Sequence, residues 1–263
     1  MKKFLIIVLL LLLIIPSHSW AMIDIVPQKI VMEARDRGGD FTILNLFNKP
    51  GTFRIELINY EQNENGIYKK LKAPLNPDFD PQKYVRFSPR QFSLPPGGRQ
   101  KVRLSLRKPS DLPEGEYRFH VKAYRFADAN DIDSQNGAVK LLMNTGVVIP
   151  VVVRHGNTHS NAKIRNAHFV DTNKNLKKEL HLDILREGSA STIGKIEVLW
   201  KKNNNEQEKI GEVSNAYVFT DVTKRKFKIP LHKTPPTEGA VLVRYYDDSN
   251  KKKKIFDEVL VSY

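Results

Sequence analysis

Residues 139–154 of this chain read VKLLMNTGVVIPVVVR, and their pattern predicts a long β-strand. Between Val139 and Thr145 the odd positions form one drier face, which is typical of a half-buried strand. Residues 147–153 are apolar at every position, as in a strand that is buried on both faces. The enrichment in valine and isoleucine favours a strand over a helix of the same length.

Pro150 lies inside this predicted strand and restricts its place in a sheet. Proline has no backbone N–H, so it cannot donate to the hydrogen-bond ladder and is found mainly on edge strands. A long apolar edge strand promotes aggregation unless something covers it. Two interpretations follow: the strand is an ordinary covered core strand, or the protein offers it to a partner.

Shorter alternating segments precede this strand from residue 22 onward. In residues 100–107, for example, Val102, Leu104 and Leu106 alternate with polar residues. Turn signals rich in proline and glycine separate the segments. About seven short strands of this kind over residues 22–154 predict an immunoglobulin-like β-sandwich.

A looser version of the same pattern follows a short polar segment at residues 155–158, which contains a glycine and is typical of a linker. Strand-like segments then alternate with turn signals up to residues 255–261. We therefore predict an all-β protein with two immunoglobulin-like β-sandwich domains in tandem, over residues 22–154 and 155–263.

The first 21 residues have the three parts of a secretory signal peptide. Lys2 and Lys3 form the positive start, residues 4–15 are an unbroken apolar segment, and Ser-Trp-Ala at 19–21 fits a cleavage site. The apolar segment is shorter than the roughly 20 residues that span a bilayer, although an uncleaved anchor is the alternative. We expect cleavage after about Ala21, export to the periplasm, and no membrane insertion of the mature chain.

The composition argues against disulfide bonds and against a nucleic-acid partner. The 263 residues include no cysteine, so an exported protein of this sequence has no disulfides and depends on its hydrophobic cores. The formal net charge is +14, but the basic residues are spread over both halves and form no arm that would bind nucleic acid. A partner with acidic patches or a carboxylate is compatible with this charge. We predict no nucleic-acid partner.

The sequence contains no catalytic motif: a glycine-rich phosphate loop and a Gly-x-Ser-x-Gly elbow are both missing. His155 and His159 have the spacing of helical metal ligands, but they flank a glycine in the predicted linker. Asp128, Asp131 and Asp133 lack the glycine and the distal glutamate of a Ca²⁺ loop. We predict a protein that is not an enzyme and has no cofactor and no metal site.

Several motifs between residues 87 and 114 occur together in a known family. They are Phe-Ser-Pro at 87–89, Leu-Pro-Pro-Gly-Gly at 94–98, Gln-Lys-Val-Arg-Leu at 100–104 and Leu-Pro-Glu at 112–114. With the signal peptide, the long strand and the two sandwiches, they resemble the periplasmic pilus (fimbrial) chaperones of the chaperone–usher pathway. Beyond residue 157 the resemblance is architectural only. It implies a boomerang-like arrangement of the two domains.

The resemblance implies that this protein donates a strand. Such chaperones lend a strand of the first domain to a pilus subunit that lacks one, which is called donor-strand complementation, and deliver the subunit to an outer-membrane usher. In this chain the donated side chains would be those of Val139, Leu141 and Met143, with Thr145 as a weaker fourth. Self-association would be a way to cover the strand when no subunit is bound.

The family also holds the C-terminal carboxylate of the subunit with two basic residues between its domains. Lys29 falls at the position of the first. If Arg154 is the basic residue at the end of the last strand, Pro150 falls at the position of the second. The chain thus departs from the two-residue anchor, and another cation would have to replace the missing one. Arg154 is expected to make an interdomain ion pair, with Glu116 as the candidate partner.

Two functions of other classes compete with this one. An exported structural or adhesive β-sandwich, similar to a pilin subunit, would have an N-terminal extension of alternating apolar residues, which cannot be separated from residues 23–32. A carbohydrate- or peptide-binding module would need an aromatic platform, and Trp200 is the only tryptophan that remains after the signal peptide.

Overall fold

The computed structural model describes residues 22–126, 144–172, 178–201, 206–234, 240–249 and 254–262. The predicted signal peptide lies outside the described residues, and so do the three aspartates considered above for Ca²⁺. Three of the four predicted donor residues, Val139, Leu141 and Met143, lie outside them as well, whereas Thr145 is described.

The described residues up to His155 form a first sandwich of two sheets. Its elements are β1 (Ile23–Val26), β2 (Ile30–Met32), β3 (Gly38–Asn45), β4 (Gly51–Gln62), β5 (Tyr68–Leu71), α1 (Pro81–Tyr84), β6 (Val85–Ser88), β7 (Gln91–Leu94), β8 (Arg99–Leu106), β9 (Gly115–Arg125) and β10 (Gly146–His155). One sheet has the order β1–β3–β8–β6. The other has the order β2–β10–β9–β4–β5, and β7 also pairs with β4. The β2–β10 pair is parallel, and β9 runs antiparallel to both β10 and β4.

The described residues after His155 form a second sandwich. Its strands are β11 (Ser160–Asp171), β12 (Lys178–Gly188), β13 (Thr192–Lys201), β14 (Gln207–Val218), β15 (Lys224–Pro230), β16 (Ala240–Asp247) and β17 (Lys254–Val261). They make one sheet in the order β11–β12–β15 and another in the order β14–β13–β16–β17. The predicted fold class, all-β with two immunoglobulin-like sandwiches, is confirmed.

The alternation of apolar residues determines which side chains form each core. On β8, Val102, Leu104 and Leu106 are buried and the polar residues between them face solvent. A separate core fills the second sandwich, where Tyr245 is fully buried and its hydroxyl donates to the Ala216 carbonyl over 2.8 Å. Each sandwich therefore has an apolar core of its own.

Two of the proline-containing motifs form turns that are fixed by hydrogen bonds. In the turn between β7 and β8, Gly97 has a φ of 69°, a conformation that favours glycine, and its N–H donates to the Asn45 carbonyl over 2.8 Å. The buried Asn45 side chain donates to the Pro95 carbonyl over 2.9 Å. Before β9, the Tyr117 hydroxyl donates to the Pro113 carbonyl over 2.7 Å, as in the tyrosine corner of immunoglobulin-like domains.

Membrane-spanning helices and metal clusters were both sought among the described residues. None of the helices in this part of the chain has the length and apolar character needed to cross a membrane. In the same residues no group of three or more histidine, cysteine, aspartate or glutamate side chains could hold a metal ion.

Candidate polypeptide-binding cleft

The first half of β10 has a strand neighbour on one side only. β9 pairs with β10 from Gly146 to His155, whereas β2 pairs with it only from Val151 to Val153. On the side away from β9, residues 146–150 therefore lack a strand neighbour among the described residues, and we call them the open edge. An unpaired edge of this kind is a template on which another polypeptide strand can pair.

Alternate residues of the open edge direct their backbone groups away from β9. The Arg125 N–H donates to the Thr145 carbonyl over 3.0 Å, so the odd-numbered residues direct their groups towards β9. Gly146, Val148 and Pro150 consequently direct theirs outward. Pro150 occupies a position where its missing N–H removes no hydrogen bond to β9. Val148 offers both an N–H and a carbonyl group to a partner.

Both faces of β10 are apolar because one packs in the core of the first sandwich and the other is directed towards the second sandwich. Ile149 and Val151 point into the core of the first sandwich. On the opposite face, Val152 packs against a cluster of the second sandwich that includes Phe219. Val148, on that same face, is 39% exposed. The second face is thus covered near residue 152 and accessible near residue 148.

A cavity of about 560 Å³ adjoins the open edge between the two sandwiches. The residues that line it include Tyr60, Tyr68, His120, Val148 and Pro150 from the first sandwich, and Asn215 and Tyr217 from the second. The His120 ring meets the Tyr60 and Tyr68 rings edge to face, with centroids 5.3 and 5.8 Å apart. Most of the wall is apolar or aromatic.

His120 forms part of this cavity wall and is neutral there. On neighbouring strands it lies opposite Pro150 and Ile58. The residue is 3% exposed, and neither ring nitrogen has a hydrogen-bond partner among the described residues. Burial, assisted by the nearby Arg118 guanidinium, lowers the pKa of His120 to about 3. The imidazole therefore presents one donor and one acceptor and carries no charge.

Lys29, the predicted carboxylate anchor, lies between β1 and β2, next to the cavity-lining Gln28. Its ammonium group lies 2.9 Å from a carboxylate oxygen of Asp248 in the second sandwich. The same ammonium group lies 5.9 Å from the centre of the Tyr217 ring. The structure therefore places Lys29 at the junction of the two sandwiches, in an ion pair within the chain.

A second cation near the cavity, Arg118 on β9, is bound inside the protein through its two terminal nitrogens, while its Nε has no partner among the described residues. Its side chain is 1% exposed and binds Asp221 of the second sandwich through two hydrogen bonds, of 3.0 and 2.7 Å. It also donates to the Tyr60 carbonyl over 2.9 Å and stacks on the Phe219 ring at 3.9 Å. Pro150, the cavity-lining residue opposite His120, supplies no charge.

The structure also brings Arg154 and Glu116 together, on the adjacent strands β10 and β9. The Arg154 Nε lies 3.3 Å from a Glu116 carboxylate oxygen, and a second guanidinium nitrogen lies 2.9 Å from Glu33. The buried Glu116 carboxylate accepts hydrogen bonds from both the backbone N–H and the hydroxyl of Ser191 in the second sandwich. The Arg154–Glu116 pair thus lies within the first sandwich, and both residues contact Ser191 of the second: Glu116 as an acceptor, and Arg154 as a donor to the Ser191 carbonyl over 3.4 Å.

His120, Arg118 and the tyrosines of the cavity were not predicted as site residues from the sequence. On β9, Arg118 and His120 alternate with buried apolar residues, which is also the pattern of a solvent-facing side. A signal was nevertheless present, because residues 147–153 of the adjacent strand, β10, are apolar on both faces. When polar residues on one strand lie beside an apolar face of the next strand, that side of the sheet is expected to be covered by another part of the molecule.

Neither a protein-family model nor a curated protein matches the chain. Many solved structures are similar to it, among them the following three. A chaperone–tip adhesin complex of CFA/I fimbriae biogenesis has a TM-score of 0.46 at 11% identity, over 92% of this chain and 98% of that chain. The CsuC–CsuE chaperone–tip adhesion subunit pre-assembly complex of Acinetobacter baumannii has a TM-score of 0.45 at 14% identity, over 92% and 99%. The structure of the Salmonella enterica SafA pilin in complex with the SafB chaperone has a TM-score of 0.44 at 13% identity. The similarity covers 94% of this chain and 99% of that chain.

Proposed function

We propose that this protein is an exported, periplasmic chaperone that binds, folds and caps pilus subunits by donor-strand complementation and delivers them to an outer-membrane usher. The observation that carries the proposal is the open edge: a strand with unpaired backbone groups lies beside a cleft between two sandwiches. A polypeptide strand added there gains backbone hydrogen bonds, and the apolar side chains around it bind the partner's alternate residues.

The donor residues of this proposal continue one face of β10 towards the N-terminus. Ile149 and Val151 occupy odd positions and point into the core of the first sandwich. By period two, Thr145, Met143, Leu141 and Val139 extend the same set in sequence. Their side chains would then fill the groove of a subunit whose sandwich lacks a strand, so that the subunit's core continues that of the chaperone.

In this proposal Lys29 binds the C-terminal carboxylate of the client. In the free protein the Asp248 carboxylate occupies that position on Lys29. The Lys29–Asp248 pair is partly exposed, with side-chain exposures of 19% and 35%. Ion pairs of this kind stabilise a protein by only about 0–1 kcal/mol. A carboxylate at the chain end of a bound subunit can therefore replace Asp248 at little cost.

Co-purification from periplasm tests the proposal, using the full chain and the pilin-like proteins encoded beside it. We expect one small subunit in stoichiometric amount, identified by mass spectrometry. Leu141→Asp or Met143→Asp should abolish its capture, because a carboxylate cannot enter an apolar groove without a large desolvation cost. Lys29→Ala should weaken capture without affecting the strand. Leu260→Asp is the matched control, since Leu260 is 64% exposed on β17.

Normal capture by both aspartate variants would overturn the donor-strand assignment, and an unchanged affinity of Lys29→Ala would remove Lys29 from the anchor. Fibres formed by the purified protein alone would favour the alternative, an exported structural or adhesive sandwich. Self-association of the free chaperone remains a prediction, which sedimentation velocity with and without a client can test.

A further inference from the structure

We propose that His168 and His181 bind a divalent transition-metal ion on the outer face of the second sandwich. The two residues lie opposite each other on the antiparallel strands β11 and β12. Neither lines the cavity beside the open edge, so the inference goes beyond the proposed function. No local spacing in the sequence indicates the pair, because only the pairing of β11 with β12 brings the two residues together.

A β-bulge in β11 places His168 on the same face of the sheet as His181. Before the bulge, the even-numbered Ile164 is buried in the second core. From Arg165 to His168 β11 advances three residues while β12 advances only two, and Asn166 adopts a left-handed conformation with a φ of 53°. The extra residue reverses the alternation of inward and outward side chains. The even-numbered His168 is therefore exposed on the outer face instead of buried in the core.

Hydrogen bonds engage one nitrogen of each ring and leave the other free. His168 Nδ1 donates to the Asn166 carbonyl over 2.7 Å, and His181 Nε2 donates to the Glu179 carboxylate over 2.9 Å. Both partners are acceptors only, so in a neutral imidazole the lone pair lies on the other nitrogen. These nitrogens, His168 Nε2 and His181 Nδ1, have no hydrogen-bond partner among the described residues. Histidines that bind metals usually donate their second N–H to a carbonyl or carboxylate in the same way.

The separation of the two rings suits a shared ion. Their centroids lie 5.9 Å apart, with an angle of 66° between the ring planes. Because a metal–imidazole bond is about 2.0–2.1 Å long, two nitrogens on one ion lie about 3–4 Å apart. Ring nitrogens lie at the periphery, so two that face each other are closer than the centroids. The exposed His168 ring has room to turn into this arrangement.

The surrounding charges leave the choice of ion to the imidazoles. Glu179 and Asp183 flank His181 on the same face of β12, and the exposed Lys226 and Lys228 lie opposite Asp183 and His181 on β15. This face therefore has no acidic excess that would attract any cation. Among the described residues no set of three histidine or carboxylate ligands occurs, so water would complete the coordination. Imidazole ligands favour Cu²⁺ and Zn²⁺, whereas Mg²⁺ and Ca²⁺ require oxygen ligands.

Calorimetric titration of the untagged full chain with Cu²⁺, Zn²⁺ or Mg²⁺ tests the inference. We expect Cu²⁺ to bind more tightly than Zn²⁺, and Mg²⁺ not to bind. Glu179→Gln should weaken Zn²⁺ binding about tenfold, because the group that orients His181 loses its charge. His168→Ala and His181→Ala should each weaken it further, because a ligand is lost. Zn²⁺ should shift the ¹⁵N resonances of both rings, and it should raise the Tm of the wild type but not of the alanine variants.

His232→Ala is the matched control, because His232 is also an exposed histidine of the second sandwich and its Nε2 lies 2.8 Å from the Lys209 carbonyl. This variant should bind Zn²⁺ as the wild type does.

A gain of affinity provides a second test. Lys228→His places a third imidazole opposite His181 on β15, and it should tighten Zn²⁺ binding because three histidines are the ligand set of known zinc sites. Equal Zn²⁺ affinity of the wild type and both alanine variants, or unchanged resonances of the two rings, would overturn the inference. A loss in His232→Ala as large as that in His181→Ala would overturn it as well.

Discussion

At the scale of single residues, burial determines the charge state of His120. The imidazole is 3% exposed, and its pKa falls from 6.5 to about 3 because burial disfavours the charged form. In the unfolded chain the same group takes up a proton near pH 6.5. The unfolded state therefore binds more protons than the folded state below that pH, and the free energy of unfolding falls as the pH falls from about 6.5 towards 3.

This linkage gives a pH-dependent prediction for His120→Phe. Between pH 7 and pH 5 the wild type should lose about 2 kcal/mol of unfolding free energy relative to the variant, since each unit corresponds to about 1.4 kcal/mol. Urea denaturation of both proteins at the two pH values measures this difference. Above pH 7.5 the difference between them should stay constant. A parallel loss of stability in both proteins would contradict a neutral, buried His120.

Single residues also show where prediction from sequence succeeds and where it fails. Pro150 indicated an edge strand because the loss of an N–H is a local property that any sheet must accommodate. The partners of Lys29 could not be inferred, because Asp248 is distant in sequence and only the packing of the two sandwiches brings them together. Ion pairs between residues that are distant in sequence do not change the local hydrophobic periodicity.

At the scale of one element, β10 combines a covered half and an open half. Its period-two pattern is lost over residues 147–153 because one face packs in the first core and the other faces the cleft and the second sandwich. The sequence therefore predicted a strand buried on both sides. It could not show that β2 pairs with only three of its residues, which leaves the open edge.

The direction of the backbone groups along β10 gives a second prediction. The Val148 N–H points to the open edge and the Val147 N–H points to β9. Val148→Pro should therefore leave the fold intact and weaken client binding about fivefold to tenfold, because one intermolecular hydrogen bond is lost. Val147→Pro should lower the free energy of unfolding by about 1–3 kcal/mol, because a β9 carbonyl loses its donor.

Thermal unfolding and client titration of these two variants provide the comparison. Both substitutions replace valine with proline at adjacent positions, so their change in composition is identical. If Val148→Pro were as destabilising as Val147→Pro, the assignment of the open edge would be wrong. If Val148→Pro bound the client as tightly as the wild type, strand addition at this residue would be excluded.

At the scale of the whole molecule, contacts between the sandwiches form the cleft. Val152 packs with a cluster of the second sandwich, Glu116 accepts hydrogen bonds from Ser191, and Arg118 binds Asp221. Each sandwich could be predicted from local alternation, because its core depends on strands that each have their own pattern. The cleft could not, because it depends on how two separate cores face each other.

The Arg118–Asp221 pair provides the third prediction, since its side chains are only 1% and 10% exposed. Asp221→Asn should lower the free energy of unfolding by about 3–5 kcal/mol, because it leaves the buried guanidinium without its counter-ion. Arg118→Met combined with Asp221→Leu should restore most of that loss, since no buried charge then remains. The control is Lys101→Ala, which removes an exposed pair with Asp40 and should cost no more than about 1 kcal/mol. Chemical denaturation followed by circular dichroism measures all four proteins. A loss in Asp221→Asn no larger than that of the control would show that this pair does not hold the two sandwiches together.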